Sequence, residues 1–414
     1  MTVLAKHAQG KGGPDKIFHI SGLAKARAQE VGKENITNAT IGAFLDASGN
    51  LITMKTVEES LRNIPFEESA NYAPISGIPE YAEAAADAVF RDCRPEAFIR
   101  GIATPGGTGS IRNTLKNYLE DGQACVISDY HWAAYKNICY ELDRDLITFR
   151  TFNAEGGFNI EGCFEKVNAC AAKQENVLLM LNTPANNPTG FSVTLDEWKI
   201  IVEKLTAIAN NGKNNVVLLV DTAYIDYAGP GSREFFKLFS NLPKNFLVIV
   251  AFSMSKSHTM YGYRSGCMLC VTSDEEEAEA FVKANQFSAR ATWSNGTHIG
   301  QLVLVDLYKN PEKKAAFLAE QEELRLSLLR RAELFLAEAK EAELATCPFE
   351  SGFFITVPTV KAPEVAAELR KEDIFLVPLG EGESAGLRVA ICAIPEEKIS
   401  GMAQKIKAAM ERVG

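Results

Sequence analysis

Long apolar runs are missing from this 414-residue chain. Its N-terminus, MTVLAKHAQGKGGPDK, has no apolar stretch of signal-peptide length, and nothing further on approaches a membrane span, so a cytoplasmic protein is expected. An excess of positive charge is missing too. Lys and Arg number 43 against 53 Asp and Glu, and the net charge of −10 disfavours a nucleic-acid or anionic-membrane partner. Any anionic ligand must then be held by a few placed cations. The nine cysteines, an odd count, show no Cys/His metal spacing, and no metal is expected. Cys125 in ACVIS and Cys267 and Cys270 in GCMLCV read as small buried hydrophobes in a reducing compartment. No repeat and no low-complexity linker interrupts the chain.

What is present is an ordinary globular composition, 46% hydrophobic and 23% charged, at a length that suits two domains. From about residue 100, short apolar runs alternate with amphipathic segments. The runs Ala124–Ser128, Val177–Asn182, Val216–Val220, Phe246–Phe252 and Cys267–Val271 lack polar alternation, which predicts strands buried on both faces of a mainly parallel sheet. Thr194 and Glu197 form a T-x-x-E capping box before Trp198, Ile201, Val202, Leu205 and Ile208 at helical spacing. Other helices are expected around Gly22 to Val31, from Pro311 to about Lys340, and from about Pro395, with late strands near Phe353–Val357 and Leu387–Cys392. The expected fold is α/β: a large domain with a mainly parallel central sheet covered by helices, plus a smaller α+β domain. Residues 1–50 are expected to form an arm and part of the small domain, 51–312 the large domain, and 313–414 the rest of the small domain with its long connecting helix.

Four loops carry chemistry. Thr104-Pro-Gly-Gly-Thr-Gly-Ser110 precedes a helix with Ile111, Leu115, Tyr118 and Leu119 on one face, where glycines and free N–H groups suit an anion. It fails G-x-G-x-x-G at Arg112 and lacks a P-loop ending, which disfavours a nucleotide fold. Asn182-Thr-Pro-Ala-Asn-Asn-Pro-Thr-Gly190 is a stiff polar loop after the run VLLML, the place where open α/β sheets bind ligands. Asp221-Thr-Ala-Tyr224 sets a carboxylate after VVLLV, able to meet a cationic ring nitrogen. Ser253-Met-Ser-Lys256 follows FLVIVAF, with Arg264 eight residues after the lysine. Desolvation beside cations makes a lysine amine nucleophilic enough for a Schiff base, and the hydroxyls with Arg264 suit a phosphate dianion. A lone lysine, aspartate or turn is usually structural; four such loops at successive strand ends are not.

The combination NNPTG, D-x-A-Y, S-x-S-K with its later arginine, and a late Gly386-Leu-Arg388 resembles the class I, fold-type I aminotransferases, particularly the aspartate and aromatic amino acid enzymes. The resemblance runs from Asn71-Tyr-Ala-Pro-Ile-Ser-Gly77 to Arg388. It implies pyridoxal 5′-phosphate as cofactor and ping-pong transfer of an amino group from an L-amino acid to a 2-oxo acid such as 2-oxoglutarate. Lys256 would then be the Schiff-base lysine and the base for the Cα proton. Asp221 would pair with the pyridine nitrogen, an attraction of about 4 kcal/mol at an effective dielectric near 20. Asn187 and Tyr224 would bind the phenolic oxygen, and Gly107, Thr108, Ser253, Ser255 and Arg264 the phosphate. Trp132 would stack on the ring, with Tyr130 as the competing assignment. Arg388 would fork onto the substrate α-carboxylate, with Asn187 and Trp132 beside it. Tyr72 and Arg290 would reach the neighbouring site of a homodimer, Arg290 binding a distal carboxylate.

Two departures bear on substrate range. Thr40 and Gly42 stand where the aspartate enzymes usually have two glycines, and Tyr135 where many carry a histidine behind the pyridine-contacting aspartate. Strict aspartate specificity is thereby in doubt, and aromatic donors stay open. A carbon–sulfur β-lyase on the same cofactor is the alternative chemistry. A non-catalytic regulatory protein that binds an amino acid or the cofactor is the alternative of another class.

Overall fold

The computed structural model describes residues 2–13 and 15–414. At its centre is a seven-stranded sheet of β1 (Phe98–Thr104), β2 (Ala124–Ser128), β3 (Asp145–Phe149), β4 (Asn176–Asn182), β5 (Asn215–Asp221), β6 (Phe246–Ser253) and β7 (Gly266–Thr272), in the spatial order β1-β7-β6-β5-β4-β2-β3. All neighbours pair in parallel except β7, which is antiparallel to both β1 and β6. The five apolar runs are thus strands, as expected. The last of them departs from the parallel rule: β7 follows β6 through a loop whose one helix, Met254–Ser257, is too short to serve as a crossover, and it runs back beside β6. Strands β1 and β3 were not anticipated; β1 carries a charge and a glycine, and β3 is a half-exposed edge strand, so neither makes an apolar run.

The sheet is buried on both faces. Val216, Leu218 and Val220 of β5 join one core cluster with Trp198 and Phe236, while Val217 and Leu219 join the other with Ile111 and Tyr135. This alternation explains Cys267 and Cys270. Their spacing is that of a thiol pair, yet residues three apart on a strand face opposite sides, and the two thiols sit in different clusters. All nine cysteines are free and buried.

Helix α1 (Gly106–Tyr118) follows β1, α2 (Ala134–Glu141) follows β2, and α3 (Leu195–Ala209) follows β4, with the capping box of Thr194 and Glu197 complete. The long helix α4 (Pro311–Glu341) starts where its proline predicts, at an Asn310 cap. The N-terminal helix begins earlier than expected, at Lys16, because Asp15 caps it by accepting from Ile17 and Phe18. The last helix begins later, at Met402, after a 3-10 turn at Glu396–Lys398.

A separate three-stranded antiparallel sheet is made by β8 (Phe354–Pro358), β9 (Val377–Leu379) and β10 (Gly386–Ala390), in the order β9-β10-β8. Its core cluster includes Ala39 and Phe44 from the N-terminal segment as well as Phe335 of α4. A short parallel pairing of Thr37–Asn38 with Ile374–Phe375 also joins the two ends of the chain. No helix among the described residues is long and apolar enough to cross a membrane.

Candidate active site

Strands β4, β5 and β6 lie side by side, and their register brings Asn182 level with Asp221, and Asp221 level with Ala251. The polar loops therefore leave one edge of the sheet together. The expectation of four successive strand ends needs a correction: β2 and β3 intervene in the chain, and antiparallel β7 separates β1 from β6 in space. The four loops still converge, because β1 runs parallel to β6 across β7.

They line a cavity of about 170 Å³ whose wall holds Gly107, Thr108, Trp132, Asn187, Asp221, Tyr224, Ser253, Ser255, Lys256 and Arg264. A larger hollow of about 560 Å³ opens beside it, sharing Thr108 and Arg264, but contains neither Lys256 nor Asp221. We place the chemistry in the smaller cavity, because its wall carries both Lys256 and Asp221 beside the polar loops.

At one end, no side chain caps the start of α1, so its first N–H groups stay open to the cavity. Gly106 (φ +68°) makes the turn into the helix, and a Cβ there would lie 2.7 Å from Arg264 Nη2. Arg264 Nη1 donates to Ser255 Oγ at 3.3 Å and to the Tyr261 carbonyl at 2.9 Å, and Ser253 Oγ accepts from the Ser255 N–H at 3.2 Å. Hydroxyls, a guanidinium and a helix start at one point form a cradle for a phosphate.

Asp221, at the end of β5, is buried. Burial pushes its carboxyl above the usual range, while donation from Tyr135 and the Ala223 N–H counters that. Tyr135 Oη donates to Oδ2 at 2.5 Å, and the Ala223 N–H to Oδ1 at 3.0 Å. Asn187 Nδ2 approaches Tyr224 Oη at 3.4 Å, and burial pushes the Tyr224 phenol up.

Lys256 lies in the short helix Met254–Ser257 after β6. Desolvation brings its amine down to about 8, with Arg388 and Arg264 adding to that and Cys392 opposing it. Nζ donates to the Gly42 carbonyl at 2.6 Å and lies 4.6 Å from the Tyr261 ring centroid. On the facing side, Arg388 of β10 donates to Asn187 Oδ1 at 3.2 Å and to the Thr40 carbonyl at 2.7 Å, and it stacks on Phe354 at 4.3 Å. Its Nε has no partner although buried, an orphaned donor beside the cavity wall.

Trp132 enters the wall, whereas Tyr130 packs against Phe152 away from it. Tyr72, 84% exposed, and exposed Arg290, bonded to Ser294 Oγ at 2.6 Å, are not brought to this cavity within the chain. Sequence reasoning missed Tyr261, which lines the cavity and accepts from the Phe44 N–H at 3.0 Å. Its signal was the first of two tyrosines inside the lysine loop, five residues after Lys256.

Residues 34–406 match the family model for aminotransferase class I and II. The chain belongs to the class I and II aminotransferases. The aromatic-amino-acid aminotransferase of Paracoccus denitrificans is 30% identical over 336 residues, 79% of this chain and 81% of that protein. The cytoplasmic aspartate aminotransferase of Dictyostelium discoideum is 25% identical over 84% of this chain and 80% of its own. The crystal structure of an aminotransferase from Anaerococcus prevotii superposes with a TM-score of 0.95, at 39% identity and 99% coverage of both chains. This aminotransferase accordingly transfers amino groups between amino acids and 2-oxo acids, with pyridoxal phosphate as its cofactor.

Proposed function

We propose that this aminotransferase takes dicarboxylic or aromatic L-amino acids as donors and 2-oxoglutarate as acceptor, at the cavity around Lys256. The observation that carries the reading is a desolvated amine, brought down to about 8, sharing one cavity with Asp221 and a phosphate cradle. Bound pyridoxal 5′-phosphate supplies an aldehyde that links to an amine and a ring that draws electrons from the substrate Cα. Gly107, Thr108, Ser253, Ser255 and Arg264 hold its phosphate, Trp132 lies on its ring, and Asn187 and Tyr224 hold its phenolic oxygen. Asp221 holds a proton at the ring nitrogen. Arg388 orients the substrate by its α-carboxylate, using the donor left free at Nε and the forked geometry of a guanidinium. Lys256 Nζ moves the Cα proton, a task suited to an amine that titrates near working pH.

The exposure of Tyr72 and Arg290 supports a homodimer in which each reaches the partner's site, Tyr72 to the phosphate and Arg290 to a distal carboxylate. The division at 1–50, 51–312 and 313–414 and a cytoplasmic location complete the reading. A donor panel with 2-oxoglutarate, on the wild type and Arg290→Ala, tests it. Aspartate and glutamate turnover should fall by about tenfold or more, as expected for a charge-assisted pair, while aromatic turnover holds. A variant that keeps both dicarboxylate activities removes Arg290 from the assignment. Borohydride trapping of the bound cofactor on any lysine but Lys256 removes the site.

A further inference from the structure

We propose that Tyr135 is a positioning residue for amino transfer, an uncharged donor that fixes and keeps ionised the carboxylate of Asp221 that meets the cofactor ring nitrogen. The inference rests on the assignment of Asp221 to that nitrogen.

Tyr135 is fully buried on α2, among Ile127, Leu178 and Leu219. Trp132 meets its ring edge-on at 5.4 Å and His131 stacks on it at 6.3 Å. In this apolar setting its hydroxyl has one hydrogen-bond partner, Asp221 Oδ2, at 2.5 Å, across 86 residues of chain. The Ala223 N–H occupies Oδ1, so two donors hold the carboxylate plane. A buried carboxylate has lost its water, and each donor that replaces water favours its charged form. The kind of donor matters. An imidazole could take up a proton and place a second positive charge on Asp221, competing with the cofactor ring. A phenol this deeply buried stays protonated, because burial and the carboxylate's own charge drive its pKa far up. It therefore orients Asp221 and leaves the whole negative charge for the ring. Trp132 lies just before α2, and its carbonyl accepts from the Tyr135 N–H at 3.0 Å, so the turn into α2 places the cavity aromatic and the carboxylate's donor together. Cys139 lies four residues on, its thiol 3.7 Å from that of Cys125 on β2, which packs the helix to the sheet. The other ionisable groups around the pair are Tyr224, His131, Lys256 and Arg388, with Cys392 and Tyr261 beyond Tyr224.

The test uses the holoenzyme, with wild type, Tyr135→Phe, Asp221→Asn and the double variant compared for cofactor affinity and for the pH midpoint of the lysine-bound cofactor's absorbance. Tyr135→Phe should weaken cofactor affinity about tenfold, as for a lost hydrogen bond to a charged group. It should also move the midpoint upward, because a ring nitrogen with less charge leaves the lysine-linked nitrogen more basic. On the Asp221→Asn background the same change should matter less than about twofold, the mark of an effect exerted through Asp221. A midpoint and affinity equal to wild type, or an equal loss on both backgrounds, overturns the proposal. Should Tyr135→Phe not fold, Tyr135→His gives a second reading. A new titration in the absorbance supports the role, and an unchanged midpoint sinks it. Colourless wild type overturns the site assignment along with the inference, whereas coloured wild type with an indifferent Tyr135→Phe overturns the inference alone.

Discussion

On the large-sheet wall of the pocket, most polar groups hold one another over short stretches of chain, the bond from Tyr135 to Asp221 across 86 residues excepted. Asp221 is capped by Ala223, Ser253 by Ser255, Asn182 binds the Asn187 N–H, and Arg264 reaches back to Ser255. On the facing wall, the bonds that close the pocket span hundreds of residues: Arg388 to Thr40 across 348, Arg388 to Asn187 across 201, Lys256 to Gly42 across 214, and Phe44 to Tyr261 across 217. The first wall is built by loops leaving adjacent parallel strands. The second exists only once both ends of the chain have packed over the first. Two cations sit on opposite sides of this divide, Lys256 partly buried and Arg388 buried. Desolvation lowers the proton affinity of both, but a guanidinium starts so high that Arg388 stays charged, held by two hydrogen bonds and an aromatic face, whereas the Lys256 amine comes down to about 8.

The sharpest way to break the comparison is Lys256→Ala, which should lower turnover by at least about 10²- to 10⁴-fold, measured at saturating donor. Next comes pH, applied to cofactor-free protein. The folded pKa of Lys256, about 8, lies below its ordinary value of 10.5, so between these the unfolded state binds more protons. Stability therefore rises with pH across that window, and below about 8 the desolvated charge weighs in full. Lys256→Met should accordingly be more stable than wild type at pH 7, by up to about 3 kcal/mol, with the gap narrowing through the window and closing only above pH 10.5 in denaturant melts. A gap that does not change with pH would show that the amine is solvated.

Arg388→Lys probes the other wall. Loss of the fork should reduce kcat/KM about ten- to hundredfold while the absorbance of bound cofactor stays unchanged. A change in absorbance would mean the two walls are not separable. The smallest effect is expected at Gly42, where an added Cβ would lie 2.6 Å from Phe354 Cζ. Gly42→Ala should destabilise the protein by about 1 kcal/mol or somewhat more, read from thermal melts, and raise KM more than it lowers kcat.

Legibility followed the same divide. The apolar runs of β2, β4, β5, β6 and β7 were readable because strands buried on both faces leave an unbroken signal. Edge strand β3 and charge-bearing β1 left none. Lys256, Asp221 and Asn187 announced themselves through polar loops directly after those runs. Tyr261 and Gly42 did not, since a tyrosine or a glycine in a loop has many ordinary uses. The role of Tyr135 also depends on a partner 86 residues away.

Composition, period and local motif thus determined by themselves the α/β class, five of the seven strands of the central sheet and the polar side chains that follow them, because those features depend on neighbours in the chain. The tertiary structure alone decided that β7 runs backwards, that Trp132 and not Tyr130 enters the cavity, and that the Thr40–Phe44 segment closes on Lys256 and Arg388. Those outcomes arise from packing between segments far apart in the chain, and no local pattern carries a record of which distant segment will arrive.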